Sequence, residues 1–306
     1  MNEDLVAELR KVAPVRLNEP MSRHTTFGVG GPADIYTPVK TGEQLRMAYA
    51  AGKRHKAPVF VFGSGSNILV GDGGIRGLVI ENQNSELVGP EKNGTGYKIR
   101  VGSGMSFSTL ARRLATAGFG GIEWAAGIPG SMGGAVVTNA GAYGHSLRDV
   151  IAGARLTNDK GEIVELSPGD LDLSYRNSAF TRGKLRDKVV LSVDLRVEQG
   201  DPARLKERVR QLDAQRRGAQ PPGRNCGSVF QNPVDRSAWE YVDAAGLRGH
   251  RIGNAQISEV HSNFIQNLGG ATAKDIVALI QLAQDRIREQ SGVELATEVM
   301  FVGEFA

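Results

Sequence analysis

The stretch Gly127-Ile128-Pro129-Gly130-Ser131-Met132-Gly133-Gly134-Ala135-Val136-Val137-Thr138-Asn139-Ala140-Gly141-Ala142-Tyr143-Gly144 decides how this chain reads. Its glycines let the backbone turn through positive φ and approach a ligand with no Cβ in the way. Ser131 is placed to cap a short helix of small residues, and a helix start preceded by glycines is a ready anion site. Asn139 to Tyr143 adds a second bend and an amide side chain. Upstream, an apolar strand at 58–62 runs into a further glycine loop, Gly63-Ser64-Gly65-Ser66-Asn67. That loop is not a Rossmann fingerprint, which needs a long helix starting inside the glycine run. Residues 68–74 instead continue as extended and turning chain, so this loop alone reads equally well as a strand-to-strand turn. Two such segments in one domain fit a long dinucleotide diphosphate better than tight packing of small residues alone.

Composition narrows the alternatives. The chain has 306 residues and 40 glycines, a fraction of roughly 13% against an ordinary ~7%. The glycines cluster without a fixed period, which argues against collagen-like and solenoid architectures. A hydrophobic fraction of 40% and a charged fraction of 23% are those of a soluble globular protein. The net charge of +4 suits an anionic substrate, or simply a solvated surface. No Lys/Arg tract with interleaved aromatics is present, so no nucleic-acid partner is expected. Cys226 is the one cysteine, which excludes an intrachain disulfide and a cysteine zinc cluster. The five histidines lack metal-ligand spacing, and no metal is expected. The start Met1-Asn2-Glu3-Asp4 is acidic, unlike a signal peptide, and no segment approaches the ~20 apolar residues of a membrane span. A cytoplasmic protein without a membrane partner is the expectation.

Helical spacing and caps predict helices near the N-terminus (Leu5, Leu9, Val12), from the Thr41 cap through Gly52, and over 106–117 with Gly118 as the stop. Strands are expected at 33–39, 58–62, 78–80, 97–101, 152–157, 163–166 and 189–197. After a turn at Gly200, Asp201 and Pro202 open a helix with Leu205, Val209 and Leu212 on one face. Composition changes there, which places a domain boundary near residue 200. The remainder reads as an α+β unit with strands at 228–231, 263–267 and 294–302 and helices at 237–245 and 272–290. Thr272 and Asp275 form a capping box for the last helix.

Three polar motifs are left for chemistry: Ser174-Tyr175-Arg176-Asn177-Ser178, Gly227-Ser228-Val229-Phe230-Gln231-Asn232-Pro233 and Ala296-Thr297-Glu298-Val299. Taken singly, Arg176 reads equally as a surface ion-pair partner and Glu298 as an outward carboxylate, while Ser228 reads more readily as a turn hydroxyl. Spacing alone does not unite them.

The run GIPGSMGGAVVTNAGAYG, with GSGSNILVGDGG and HTTFGVGGPAD before it, resembles the UDP-N-acetylenolpyruvoylglucosamine reductase family over about residues 18–304. That family lies within the superfamily that includes vanillyl-alcohol oxidase. The resemblance implies an α+β fold: a two-lobed PCMH-type FAD-binding domain over 1–200, then a smaller α+β substrate-binding domain over 201–306. It implies FAD held by Gly63, Ser64, Gly65, Ser66, Asn67, Gly127, Ile128, Pro129, Gly130, Ser131, Gly133, Gly134, Asn139, Gly141, Ala142 and Tyr143. Neither glycine loop contains a histidine or cysteine for covalent attachment, so non-covalent FAD is expected.

The implied activity is NADPH-dependent reduction of UDP-N-acetylglucosamine enolpyruvate to UDP-N-acetylmuramate, an oxidoreductase step in peptidoglycan precursor synthesis that serves cell shape and division. Arg176 and Glu298 would hold the substrate carboxylate as charge develops on it, and Ser228 would protonate C2 of the resulting carbanion. Asn232 and Tyr175 are implied substrate contacts. The interval between the arginine and serine motifs has no room for an inserted tyrosine lid, which implies the lidless type II subgroup, with Arg217 or Arg224 on the diphosphate. Two departures stand out. Gln231 replaces a frequent lysine, and Gly28 lies where relatives often carry a basic residue. NADPH is expected to share the substrate's site, since no separate Rossmann unit is present, and a monomer is expected. A flavin oxidase of hydroxy acids and a nucleotide-binding module without turnover are the alternative readings. The first leaves the Ser228 motif without a task, and the second makes all three motifs coincidental.

Overall fold

The structure, a computed structural model, describes residues 2–305; Met1 and Ala306, which bound the two expected domains, lie outside the described residues. The chain begins α1 (Glu3–Leu9), β1 (Arg16–Pro20), β2 (Pro32–Val39), α2 (Gly42–Arg54), β3 (Val59–Phe62), β4 (Ile68–Val70) and β5 (Ile75–Asn82). It continues β6 (Leu87–Asn93), β7 (Gly96–Gly102), α3 (Phe107–Ala117), β8 (Phe119–Gly120), α4 (Met132–Thr138), β9 (Gly141–Ala142), β10 (His145–Ser146) and α5 (Leu147–Val150). Then come β11 (Ile151–Thr157), β12 (Ile163–Leu166), β13 (Val189–Gln199) and α6 (Pro202–Ala219). The last part holds α7 (Ala238–Ala244), β14 (Arg251–Ile252), β15 (Ala255–Ile257), β16 (Ile265–Asn267), α8 (Ala273–Ser291) and β17 (Met300–Val302).

Contacts divide the chain into two compact units. The first comprises residues 2–17, Ile35–Ser64 and Gly77–Gln215; the second comprises Asn18–Asp34, Gly65–Arg76 and residues 216–305. This division differs from the expected boundary at 200. Val209 of α6 packs into the core of the first unit, and Arg112 pairs with Asp213 at 2.8 Å. Phe27, Val29 and Leu69 belong instead to the core of the second unit. Burial of apolar side chains, not position along the chain, sets the division.

In the first unit, β12-β11-β13-β7-β6 form an antiparallel sheet, with β8 pairing the end of β13. Its core gathers Val101, Phe107, Leu110, Trp124, Val136, Val193 and Leu195. Helix α3 follows its cues: Ser106 Oγ accepts from the Thr109 N–H at 3.3 Å, Phe107, Leu110, Ala111 and Leu114 are buried, and Gly118 closes it at φ 82°. A second sheet, in the order β1-β2-β5-β3, shares a core with α1 and α2 through Leu5, Leu9, Ile35, Val39, Leu45, Leu78 and Ile80.

In the second unit, β14-β15-β16 form a small antiparallel sheet beside α7 and α8, and β17 pairs parallel to β4 with Met300 opposite Ile68. The Thr272 capping box is present on α8. The Asp72 carboxylate adds to it by accepting from the Ala273 and Lys274 N–H groups at 2.9 and 3.0 Å. One expected strand is absent and another is shortened. Residues 228–231 make only an isolated bridge, Phe230 with Thr297, and the final strand is confined to β17. Side-chain bonds replace the ladder here: Asn263 accepts from the Phe230 N–H and donates to the Phe230 carbonyl, each at 2.9 Å.

Candidate active site

Gly63, the first residue of its glycine loop, meets the second glycine segment inside the first unit. Gly63 leaves β3 so close to the N-cap of α4 that a Cβ on it would lie 2.1 Å from Ser131 Oγ. Ser131 caps α4 as expected, accepting from the Gly134 N–H at 3.3 Å. Gly130 is left-handed at φ 118°. Around the junction, Gly63, Gly127 and Gly130 are half-buried, while Ser64, Pro129 and Gly134 are exposed. This is a stretch of main chain almost bare of side chains, and it fits an elongated cofactor lying against it. The helix start itself is not the anion site anticipated above. Its first N–H groups are committed: Met132 to the Met105 carbonyl at 2.9 Å, Gly133 to the Ser103 carbonyl at 2.7 Å, and Gly134 to Ser131.

Beyond α4, Asn139 stands left-handed at φ 44° and ψ 58° as the helix C-cap, with its side chain buried. The amide expected on the cofactor is turned elsewhere. Its Nδ2 donates to the Ser174 carbonyl at 2.9 Å, and its Oδ1 accepts from the Arg148 N–H at 3.0 Å. Gly141 and Ala142 pair with Ser146 and His145, and between them Tyr143 is left-handed at φ 55° with its hydroxyl on the Leu212 carbonyl at 3.1 Å.

Arg176 occupies a two-residue turn. Ser174 and Asn177 exchange both N–H···O bonds, at 3.0 and 3.1 Å, and exposed Tyr175 and half-buried Arg176 form the tip. Arg176 is left-handed at φ 49°, a conformation that costs a non-glycine residue about 1–2 kcal/mol. The turn is over-determined from behind: Ser178 Oγ donates to the Val137 carbonyl at 2.6 Å, and Arg182 Nη2 donates to Ser174 Oγ at 2.6 Å.

Ser228 and Glu298 lie together in the second unit. The Glu298 N–H donates to the Val229 carbonyl at 2.7 Å, next to Ser228, and the Gln231 N–H donates to the Ala296 carbonyl at 2.9 Å. Glu298 sits in a bend ahead of β17, not within the strand expected there. Asn67, from the first glycine loop, donates Nδ2 to the Glu298 carbonyl at 3.0 Å and accepts from the Met300 N–H at 3.1 Å. Gly65 beside it, at φ 62°, leaves no space for a side chain, since a Cβ would lie 2.1 Å from the His24 carbonyl oxygen. Cys226 is fully enclosed; burial, reinforced by the negative charge of Glu298, pushes its thiol far up, so it stays protonated and unreactive. Asn263, not singled out above, clamps Phe230 from both sides and thereby fixes the Ser228 segment. No sequence signal marked Asn263, which stands in the mixed run His261-Ser262-Asn263-Phe264-Ile265-Gln266.

The expected substrate contacts are all exposed. Asn232 spends its Oδ1 on the Ala238 N–H at 3.0 Å. Arg217 lies in the last turn of α6. The Arg224 side chain passes over Gly28, where a Cβ would lie 2.8 Å from its Cδ; the missing side chain at 28 is therefore filled by an arginine from elsewhere in the chain. Among the described residues no cluster of metal-ligating side chains is found and no helix is long and apolar enough to cross a membrane.

A family model for the FAD binding domain matches residues 33–167, and one for the UDP-N-acetylenolpyruvoylglucosamine reductase C-terminal domain matches residues 219–302. The chain is an FAD-containing oxidoreductase with an α+β fold. It is 41% identical to the UDP-N-acetylenolpyruvoylglucosamine reductase of Alkaliphilus oremlandii, with 97% of each chain covered. It is also 40% identical to that of Rubrobacter xylanophilus, with 97% and 98% covered. The crystal structure of the Thermus caldophilus reductase is similar with a TM-score of 0.76 at 33% identity, covering 95% of this chain and 98% of that one. The chain belongs to the UDP-N-acetylenolpyruvoylglucosamine reductase family.

Proposed function

We propose that this chain reduces UDP-N-acetylglucosamine enolpyruvate to UDP-N-acetylmuramate with NADPH, as a cytoplasmic, monomeric enzyme of peptidoglycan precursor synthesis that serves cell shape and division. FAD, non-covalent because neither glycine loop contains a histidine or cysteine and Cys226 is enclosed, would relay the two electrons from the nicotinamide to the substrate when bound. The bare main chain at Gly63–Ser64 and 127–134 holds it, with Gly65 to Asn67 and Gly141 to Tyr143.

The unit that carries Ser228 and Glu298 takes the substrate in this reading. Glu298 and Arg176 orient the carboxylate and respond to the charge that develops there during reduction, a task that rewards fixed groups over mobile ones. The main chain of both is held in place: Arg176 by its clamped turn, Glu298 by bonds of its N–H to Val229 and of its carbonyl to Asn67. Ser228 delivers the proton to C2. A hydroxyl is a weak acid in water and suffices only toward a strongly basic carbon. The nearby Cys226 thiol, raised by burial, does not compete for the role. Tyr175, Asn232, Arg217 and Arg224 contact the UDP moiety, in the lidless manner of the type II subgroup.

The observation that supports this reading is the main-chain bond from Glu298 to Val229, the residue after Ser228, which brings together the two backbone segments that carry the carboxylate and the hydroxyl. The test follows NADPH oxidation by purified holoenzyme with and without UDP-N-acetylglucosamine enolpyruvate. Substrate-dependent turnover is expected; flavin reduction that never leads to turnover refutes the assignment. Ser228→Ala is expected to leave flavin reduction by NADPH intact and to slow reoxidation by substrate roughly 10²–10⁴-fold. Equal losses in both half-reactions contradict the proton-donor role.

A further inference from the structure

Asn139 lies in the glycine segment that the cofactor uses, yet every polar atom of its side chain is occupied by the protein. Its two partners are a carbonyl and an N–H, so the orientation of the amide is chemically fixed: Nδ2 on Ser174, Oδ1 on Arg148. The side chain is only 5% exposed, and the residue accepts a left-handed backbone to reach both partners. Ser174 is the first residue of the turn whose tip is Arg176, and its carbonyl also accepts the bond from Asn177 that closes that turn. A second bond, Ser178 Oγ to Val137, ties the other side of the turn to the end of α4.

We propose that Asn139 is a positioning residue for Arg176: its amide fastens the arginine turn to the C-terminal end of α4, and so sets where the guanidinium points. The proposal rests on the reading of Arg176 as a partner of the substrate carboxylate. Its physical basis is the strain at Arg176. A left-handed arginine persists only where the surroundings hold it, and the part-buried Asn139 bond is one of the side-chain bonds that hold this turn. Without it the turn relaxes toward an ordinary conformation and the side chain at its tip swings with it. Displacements of about 1 Å at a reacting centre cost on the order of 10²-fold in rate.

The test uses holoenzyme and two substitutions. Asn139→Gly removes the amide and keeps the left-handed backbone free of strain. Asn139→Asp keeps size, left-handed preference and the bond from Arg148, but sets an acceptor against the Ser174 carbonyl. Both variants are expected to retain FAD, its absorption spectrum and its reduction by NADPH. Flavin reoxidation by UDP-N-acetylglucosamine enolpyruvate is expected to slow about 10–100-fold, and adding either change to Arg176→Gln is expected to slow it no further. Loss of FAD, equal loss in both half-reactions, additivity with Arg176→Gln, or failure of both variants to fold overturns the proposal. If Arg176→Gln itself leaves reoxidation unchanged, the underlying reading of Arg176 falls. If Arg176→Gln slows reoxidation and neither Asn139 variant does, the proposal alone falls.

Discussion

An alanine at position 63 would place its Cβ 2.1 Å from Ser131 Oγ and 2.5 Å from Ser131 Cβ, and the latter, fixed to the backbone, cannot rotate out of the way. Gly63→Ala is therefore expected to push the two glycine loops apart, destabilising the first unit by about 1–3 kcal/mol and lowering the flavin retained on purification. Thermal unfolding and the ratio of flavin to protein absorbance report the two effects separately. Gly28 follows the opposite logic: its missing side chain leaves room that Arg224 occupies. A basic group is present near position 28 although the residue there is glycine, a compensation that only spatial proximity discloses.

At the scale of elements, cross-strand chemistry is best seen where β13 pairs β7, with Asp194 directly opposite Arg100 and bonded to it at 2.6 and 2.8 Å. Burial by itself would raise the Asp194 carboxyl, but the bonds and charges of Arg100 and Lys98 outweigh it and hold the group below the usual carboxylate range. A carboxyl depressed in the folded state stabilises fully above its unfolded value, near ~3.9, and loses that contribution as pH falls through the folded value. Asp194→Asn is accordingly expected to cost about 1 kcal/mol near neutral pH and progressively less below pH ~4, as urea unfolding across pH checks.

Helices were legible in the chain because their signals are local: Thr41, Ser106 with Gly118, Ser131 and Thr272 each bond within three residues of the helix they cap. The segments at 228–231 and 294–299 misled because they alternate like strands while Asn263 and irregular bonds satisfy their backbones. The motifs of the candidate site were equally visible, but the direction in which Asn139 points was not, since Ser174 lies 35 residues away.

For the whole molecule, the decisive feature is that the second unit is assembled from three separated stretches of chain. Phe27, Val29 and Leu69 pack with Val229, Leu279 and Leu295, and Asn267 Nδ2 donates to the Phe27 carbonyl at 2.8 Å. A fragment of residues 201–306 lacks those apolar side chains and the strand that pairs β17. It is expected to be loosely packed, with poor amide dispersion by NMR, where the full chain gives a cooperative transition. A cooperatively folded fragment would restore the simpler division at 200. The same interleaving has a consequence for how the protein is made. Asn67 must wait for Glu298, 231 residues later in synthesis; at a ribosomal pace of about 5–20 residues per second that is roughly 10–50 s. During that interval Phe27, Val29 and Leu69 have left the exit tunnel with no core to enter, which marks these stretches as the nascent chain's natural contacts for chaperones.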